Sequence, residues 1–320
     1  MFDMKYAVAL LLLVLAGSVV FAQDCADEDY KCQVELYREA TDSDEIFRLA
    51  YAYGELKKYD SAVREYSRYI ELRPDNAAGY YNRGHDLYNQ KEFKRALADF
   101  DRAVELDPSD LDSIISRGDT RGELGDHSGS IEDYNAALAL KDDRAEIYYN
   151  RGLEYEAIGE TALALGDFSK AVELKPDYSE AYFMRARMRS AMGDDAAAVI
   201  DLTEAIRLTP DDADSYFNRA YAYYDLGEYE KSVADYTRYI SSISSDPDAY
   251  YNRGNGYYDL GNDRLAIKDF SRYIKLKPRD PDGYYWRARS YERLGETKKA
   301  EADDRRSQEL SSEVKSEPHL

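Results

Sequence analysis

AEIYYNRGLEYEAIGETALALGDFSKAVELKPDY, residues 145–178, decides the fold. Small and apolar residues recur at helical spacing on both sides of Gly159, and Pro176 closes the segment. The same 34-residue frame returns along the chain, with proline at 74, 108, 176, 210 and 278 and with Asp142 and Ser244 in the two skipped slots. Aligned on it, the copies are 43–76, 77–110, 111–144, 145–178, 179–212, 213–246, 247–280 and 281–314. A helically patterned period of this length describes stacked helix pairs, which bury their apolar faces only against neighbouring copies.

The columns of the alignment assign the parts. Counting from the start of each copy, position 8 is always Ala or Gly (Ala50, Gly84, Gly118, Gly152, Ala186, Ala220, Gly254, Ala288). Position 20 is Ala or Ser throughout, so two helices are expected to cross closely there. Glycine at position 15 in six copies (125, 159, 193, 227, 261, 295) suits the left-handed residue that ends a first helix. The proline after the second helix stops that helix. Each copy reads as helix, tight turn, helix, short loop.

Position 4 is Tyr or Ile in every copy, and position 24 is aromatic or Leu in the first seven. With Tyr148-Tyr149-Asn150-Arg151-Gly152, Asp167-Phe168, Ala171, Leu174 and Pro176, this pattern resembles the tetratricopeptide repeat. The resemblance implies an all-α fold, a right-handed superhelical solenoid of antiparallel helix pairs, with the array over 43–314.

The flanks read differently. Lys5 precedes an apolar run from Ala7 to Val20 that ends Val20-Phe21-Ala22, the pattern of a secretory signal over 1–22 cut before Gln23. An extracytoplasmic protein, periplasmic or secreted, is expected, with no membrane insertion after cleavage; retention as an uncleaved anchor is the alternative. Residues 23–42 are expected to cap the array through an amphipathic helix carrying Val34, Leu36 and Tyr37. Cys25 and Cys32, the only cysteines, are a candidate disulfide provided the helix starts after Cys25; two unpaired thiols are the other reading. In the last copy, positions 21, 24 and 28 turn polar (Glu301, Asp304, Gln308), as an end with no following neighbour requires. Residues 311–320 carry no period and read as frayed, with 315–320 as tail.

The net charge of −21 argues against nucleic acid or an anionic membrane and favours a basic partner. Acids at position 2 complement helix dipoles and need no ligand. Arginine fills position 7 in seven consecutive copies (Arg83 to Arg287), and position 23 is acidic in all eight (Glu65 to Asp303). This is an ion-pair ladder; because the first copy has Leu49 in place of arginine yet keeps Glu65, pairing between copies is expected over pairing within them.

No motif carries chemistry. His85, His127 and His319 are scattered, Gly254-x-Gly256 lacks the rest of a dinucleotide loop, and no metal or cofactor is expected, so the chain reads as a non-enzyme. In proteins of the resembled family the first helices line the concave face, which implies a protein or peptide partner there, extended and basic in character. The expected groove lies in copies six to eight: Phe217, Tyr221, Tyr224, Asp225, Tyr251, Asn252, Tyr258, Asp259, Tyr285, Trp286 and Arg289. The leading expectation is a non-catalytic interaction scaffold. The alternatives are an assembly factor of a cell-envelope complex using the convex face and loops, and a chaperone-like adaptor for exported clients.

Overall fold

The computed structural model describes residues 29–316, and all of the secondary structure described is α-helical. The signal over 1–22, Cys25 and the end of the tail lie outside the described residues. The array divides after Asp142 into two compact units. That point is the first skipped proline slot.

The first unit holds α1 (Tyr30–Leu36), α2 (Ser43–Glu55), α3 (Tyr59–Leu72), α4 (Ala77–Asn89), α5 (Phe93–Leu106), α6 (Leu111–Glu123) and α7 (His127–Leu140). The second holds α8 (Ala145–Ala157), α9 (Thr161–Leu174), α10 (Ser179–Ala191), α11 (Asp195–Leu208), α12 (Ala213–Asp225), α13 (Tyr229–Ser242), α14 (Pro247–Asp259), α15 (Asp263–Leu276), α16 (Pro281–Arg293) and α17 (Thr297–Ser316). Within each unit, helices pair and the pairs stack. From α2 to α16, first helices have 13 residues and second helices 14. α17 has 20 residues and runs on through 311–316, which are helical and not frayed.

Local chemistry sets the ends. Asp42, Asn76, Asp110, Asp212, Asp246 and Asp280 accept from backbone N–H groups in the first turn of the helix that follows. At the turn inside each pair, the Gly159 N–H donates to Glu156 O and the Glu160 N–H to Tyr155 O, at 2.9 and 2.8 Å. All six turn glycines have positive φ, from 71° to 80°. In the first two copies the same place is held by Lys57 (φ 56°) and Lys91 (φ 61°), where a Cβ makes that backbone costly.

Two columns of small residues have separate partners. A Cβ added at Gly84, Gly152 or Gly254 would lie 2.8–2.9 Å from Phe100, Phe168 or Phe270, the position-24 ring of the same copy. That ring also meets the next first helix, as Phe168 does at Met184 and Met188. The bulky Tyr69 and Tyr273, in place of the usual alanine at position 27, sit against Gly79 and Gly283, where an added Cβ would come within 2.8 and 2.6 Å. The added bulk is thus absorbed by a matching glycine one helix on. Tyr239 instead packs on Ala249 and donates to Asp246 at 2.8 Å.

The charge ladder runs within copies, contrary to the expectation. Arg83 grips Asp99 through Nε (2.7 Å) and Nη2 (2.6 Å), and Arg185–Asp201, Arg219–Asp235, Arg253–Asp269 and Arg287–Asp303 repeat the fork. The remaining Nη1 reaches the preceding copy, at the hydroxyls of Ser67, Thr203, Thr237 and Ser271 (3.0–3.1 Å). The first copy has Leu49 because that side chain packs under α1, with Val34 and Ala52. Glu65 is paired instead by Arg68, whose Nη2 also donates to Ala40 O at 2.8 Å. Val34 of α1 is buried, whereas Leu36 is 41% exposed. At the other end, Asp304 takes the place of an aromatic ring and is paired by Arg289 at 2.5 Å.

Replacing Lys91 by Gly should raise stability by about 1 kcal/mol by relieving the left-handed backbone. Thermal and chemical melts check this; a fall in stability would show that the lysine side chain contributes more than its φ costs.

Candidate functional site

The expected groove residues all lie on the first helices of the second unit, but they do not form one surface. Phe217 and Tyr251 are seam residues: Phe217 meets Tyr236 and Tyr239 with ring centroids 5.3 and 5.0 Å apart, and Tyr251 meets Tyr273 at 5.0 Å. Tyr221, Tyr224, Asp225 and Asn252 come together around a small hollow of about 100 Å³, floored by Tyr236. Tyr221 is 49% exposed, and burial together with Asp195 raises the Asp225 carboxyl above its usual range. The Tyr224 hydroxyl donates to Asp259 at 2.6 Å, tying α12 to α14.

Tyr258, Tyr285 and Trp286 form a second cluster. Trp286 stands edge-on to both tyrosines at 5.3 and 5.4 Å, and the Arg293 guanidinium covers the Tyr258 ring at 3.4 Å. Tyr285 stays 44% exposed. Arg289 is held by Asp304 and Glu292, so its charge belongs to the end cap and is not offered to a ligand. The two clusters present exposed rings and acids on one set of helices.

A larger hollow, of about 530 Å³, lies in the first unit between α2 and α4, and sequence reasoning did not single it out. Tyr51, Glu55, Tyr66, Tyr81, Asn82, His85 and Asp86 line it. Tyr81, Asn82, His85 and Glu55 occupy positions 5, 6, 9 and 13, the positions that define the expected groove. Asp86 stands at position 10, a column that holds the buried Ala52, Thr120, Met188, Ala222 and Ser290 and one other acid, the half-buried Glu154.

Asp86 is 5% exposed. It is one of ten buried carboxylates among the described residues; the other nine each have an arginine within ion-pair distance, and Asp86 has none. Burial, then the nearby charge of Glu55, pushes its carboxyl up to about 7. Burial also raises the Tyr66 hydroxyl, with help from Asp86 and Glu55. Two signals in the sequence bear on this site: an acid in a mostly buried column, shared only with Glu154, and Gly54 facing it where several other copies have Tyr or Glu. Among the described residues no cluster of three or more His, Cys, Asp or Glu is arranged to hold a metal, and no helix is long and apolar enough to cross a membrane. Cys32 is disulfide-bonded, and α1 starts at Tyr30, beyond Cys25.

The raised Asp86 carboxyl sets a pH dependence. The folded state holds its proton between the unfolded value near 4 and about 7, so folding stability falls as pH rises through that window. The drop is about 4 kcal/mol for a shift of about three units, with no cation bound. Asp86→Asn removes this term, so the variant should gain stability over wild type between pH 5 and pH 8, as read by urea melts at the two values. An unchanged difference would place a counter-charge at Asp86.

The repeat geometry has clear relatives. Tetratricopeptide repeat family matches fall at residues 46–76, 77–110, 145–178 and 247–280, and a further TPR repeat match at 118–159, 186–227 and 220–261. Together they cover more than half of the chain. Among solved structures, the C-terminal part of a TPR repeat-containing protein from Cytophaga hutchinsonii aligns with TM-score 0.60 and 20% identity, over 70% of this chain and 94% of that one. A tetratricopeptide repeat protein from Parabacteroides merdae aligns with TM-score 0.56 and 22% identity, over 73% and 93%. YrrB, described as a TPR protein with an unusual peptide-binding site, aligns with TM-score 0.50 and 20% identity, over 59% and 97%. No curated protein sequence matches. The recurring helix pairs, the glycine turns and these matches agree: the chain belongs to the tetratricopeptide repeat family.

Proposed function

We propose that this protein is a non-catalytic interaction scaffold that binds an extended peptide or protein segment along its first helices, outside the cytoplasm. The observation that carries the reading is the concentration of exposed rings, acids and hollows on those helices. Tyr51, Tyr221 and Tyr285 are each at least 42% exposed and stand at positions 5 or 9, Tyr51 and Tyr221 on the hollows that contain Asp86 and Asn252 and Tyr285 against Trp286. Exposed tyrosine supplies large contact area at low entropic cost, and the flanking carboxylates favour a basic segment. YrrB, similar in fold, is described by its peptide-binding site, which supports a peptide as ligand here. The apolar run over Ala7–Val20 and the disulfide-bonded Cys32 support an oxidising, extracytoplasmic setting.

Selection from a random phage-displayed peptide library tests the reading against two variants of the full chain. Tyr51→Ala/Tyr221→Ala/Tyr285→Ala alters the first helices; Leu163→Ser/Ile200→Ser/Leu265→Ser alters exposed apolar residues of second helices. Peptides selected on wild type should bind at least about tenfold more weakly to the first variant, a loss of about 1.4 kcal/mol or more, and equally well to the second. Loss confined to the second variant would move the contacts to the opposite face, as an assembly factor using it requires. No selection at all would overturn the peptide-binding reading.

A further inference from the structure

The hollow between α2 and α4 combines features that no other part of the described array shows together. Elsewhere a buried carboxylate is matched by an arginine of the same chain; the carboxylate of Asp86 is not, and Glu55 adds a second acid on the same lining. The space in front of it is kept open. A Cβ at Gly54 would stand 3.0 Å from Asp86 Oδ1, so any larger residue there would press on the carboxylate. Lys57, on the adjoining turn, is exposed and has no carboxylate within ion-pair distance, so the chain's own lysine does not neutralise the pair. Tyr51 and Tyr81 supply aromatic walls.

Two acids with aromatic walls recognise a cation: carboxylates give charge-assisted hydrogen bonds, and ring faces attract an ammonium or guanidinium. An anion would meet repulsion from both acids. A bound metal ion is disfavoured, since the lining forms no cluster of three metal-ligating groups. We propose that this hollow is a specificity pocket for a lysine or arginine side chain of the bound segment, with Asp86 and Glu55 as its counter-charges and Tyr51 and Tyr81 as its walls. The inference rests on the reading of the first-helix face as a peptide groove. The pocket would fix the register of the segment, because a buried acid left without a partner penalises every register that puts an apolar side chain there.

Titration of the full-length protein, labelled with ¹⁵N-glycine, tests the pocket directly at pH 8. The probes are N-acetyl-lysine methylamide, N-acetyl-arginine methylamide and, as the uncharged control, N-acetyl-norleucine methylamide. Gly54 is the reporter and the glycines of the second unit are the control. One or both cationic probes should move the Gly54 amide signal saturably, with a dissociation constant of about 1–10 mM. Norleucine should bind at least about tenfold more weakly, and Asp86→Asn protein, with its other glycine signals unmoved, should lose the same factor. A Gly54 signal unmoved by both cations, equal binding of norleucine, or full binding by Asp86→Asn would each overturn the proposal. Cadaverine saturating the site while neither amino-acid amide does would assign the hollow to a small free amine and overturn the peptide source. The outcome is separable from the library selection. Peptides selected without cation binding at Gly54 sink the pocket alone; cation binding without any selected peptide sinks the scaffold reading.

Discussion

Forked arginines hold the helix pairs together, and Arg83, Arg219, Arg253 and Arg287 also reach the pair before. Nε and Nη2 take both oxygens of the acid sixteen residues on, and Nη1 reaches back to a hydroxyl of the preceding copy. Lysine has no such geometry, since a single ammonium cannot serve two oxygens and a third partner in one plane. The tyrosines at position 4 complete the arrangement, with Tyr216, Tyr250 and Tyr284 each 5.6–5.7 Å from the arginine of their own copy. The guanidinium is thereby desolvated over an aromatic face while its donors stay matched. Burying such charges is costly unless every partner is present, so the ladder rewards the correct stacking of copies and penalises slipped ones.

Against that background the departures from the repeat separate into two kinds. Some restore the rule by other means. Glycines 79 and 283 make room for Tyr69 and Tyr273, Arg68 replaces the missing first-copy arginine at Glu65, and Arg289 neutralises the polar substitute Asp304. Asp86 is a buried charge that no arginine of the chain repairs. A buried acid without a cation weakens the fold at neutral pH, and such a cost is retained where binding uses it.

Most of the fold was legible because the period showed each residue class again in most of the eight copies. The turn glycines, the small columns and the stop prolines could be assigned without coordinates. Three features were not. The ladder's direction depends on which faces of an antiparallel pair meet, and Leu49 pointed the wrong way because it answers to α1 and not to Glu65. The extension of α17 lies in a polar stretch without the repeat pattern, which reads as a loss of pattern and not as added helix. The groove was sought among aromatic residues in copies six to eight, yet Phe217 and Tyr251 fill seams and Arg289 serves the cap. Aromatic type does not separate packing from exposure in a chain where tyrosine does both. A further clue was Asp86, one of two acids, with Glu154, in a column otherwise without charge, and the one faced by Gly54.

The division of labour is therefore specific: paired buried charge builds the array, and the unpaired buried charge at Asp86 is the site proposed for a partner. Three double-mutant cycles in the second unit test its first half most directly. Arg253 coupled to Asp269 of its own copy should show about 2–3 kcal/mol of interaction energy, and Arg253 coupled to Thr237 of the preceding copy about 0.5–1 kcal/mol. Arg253 coupled to Asp235, the acid of the preceding copy, should show almost none. A larger coupling to Asp235 than to Asp269 would contradict the ladder and the architecture drawn from it.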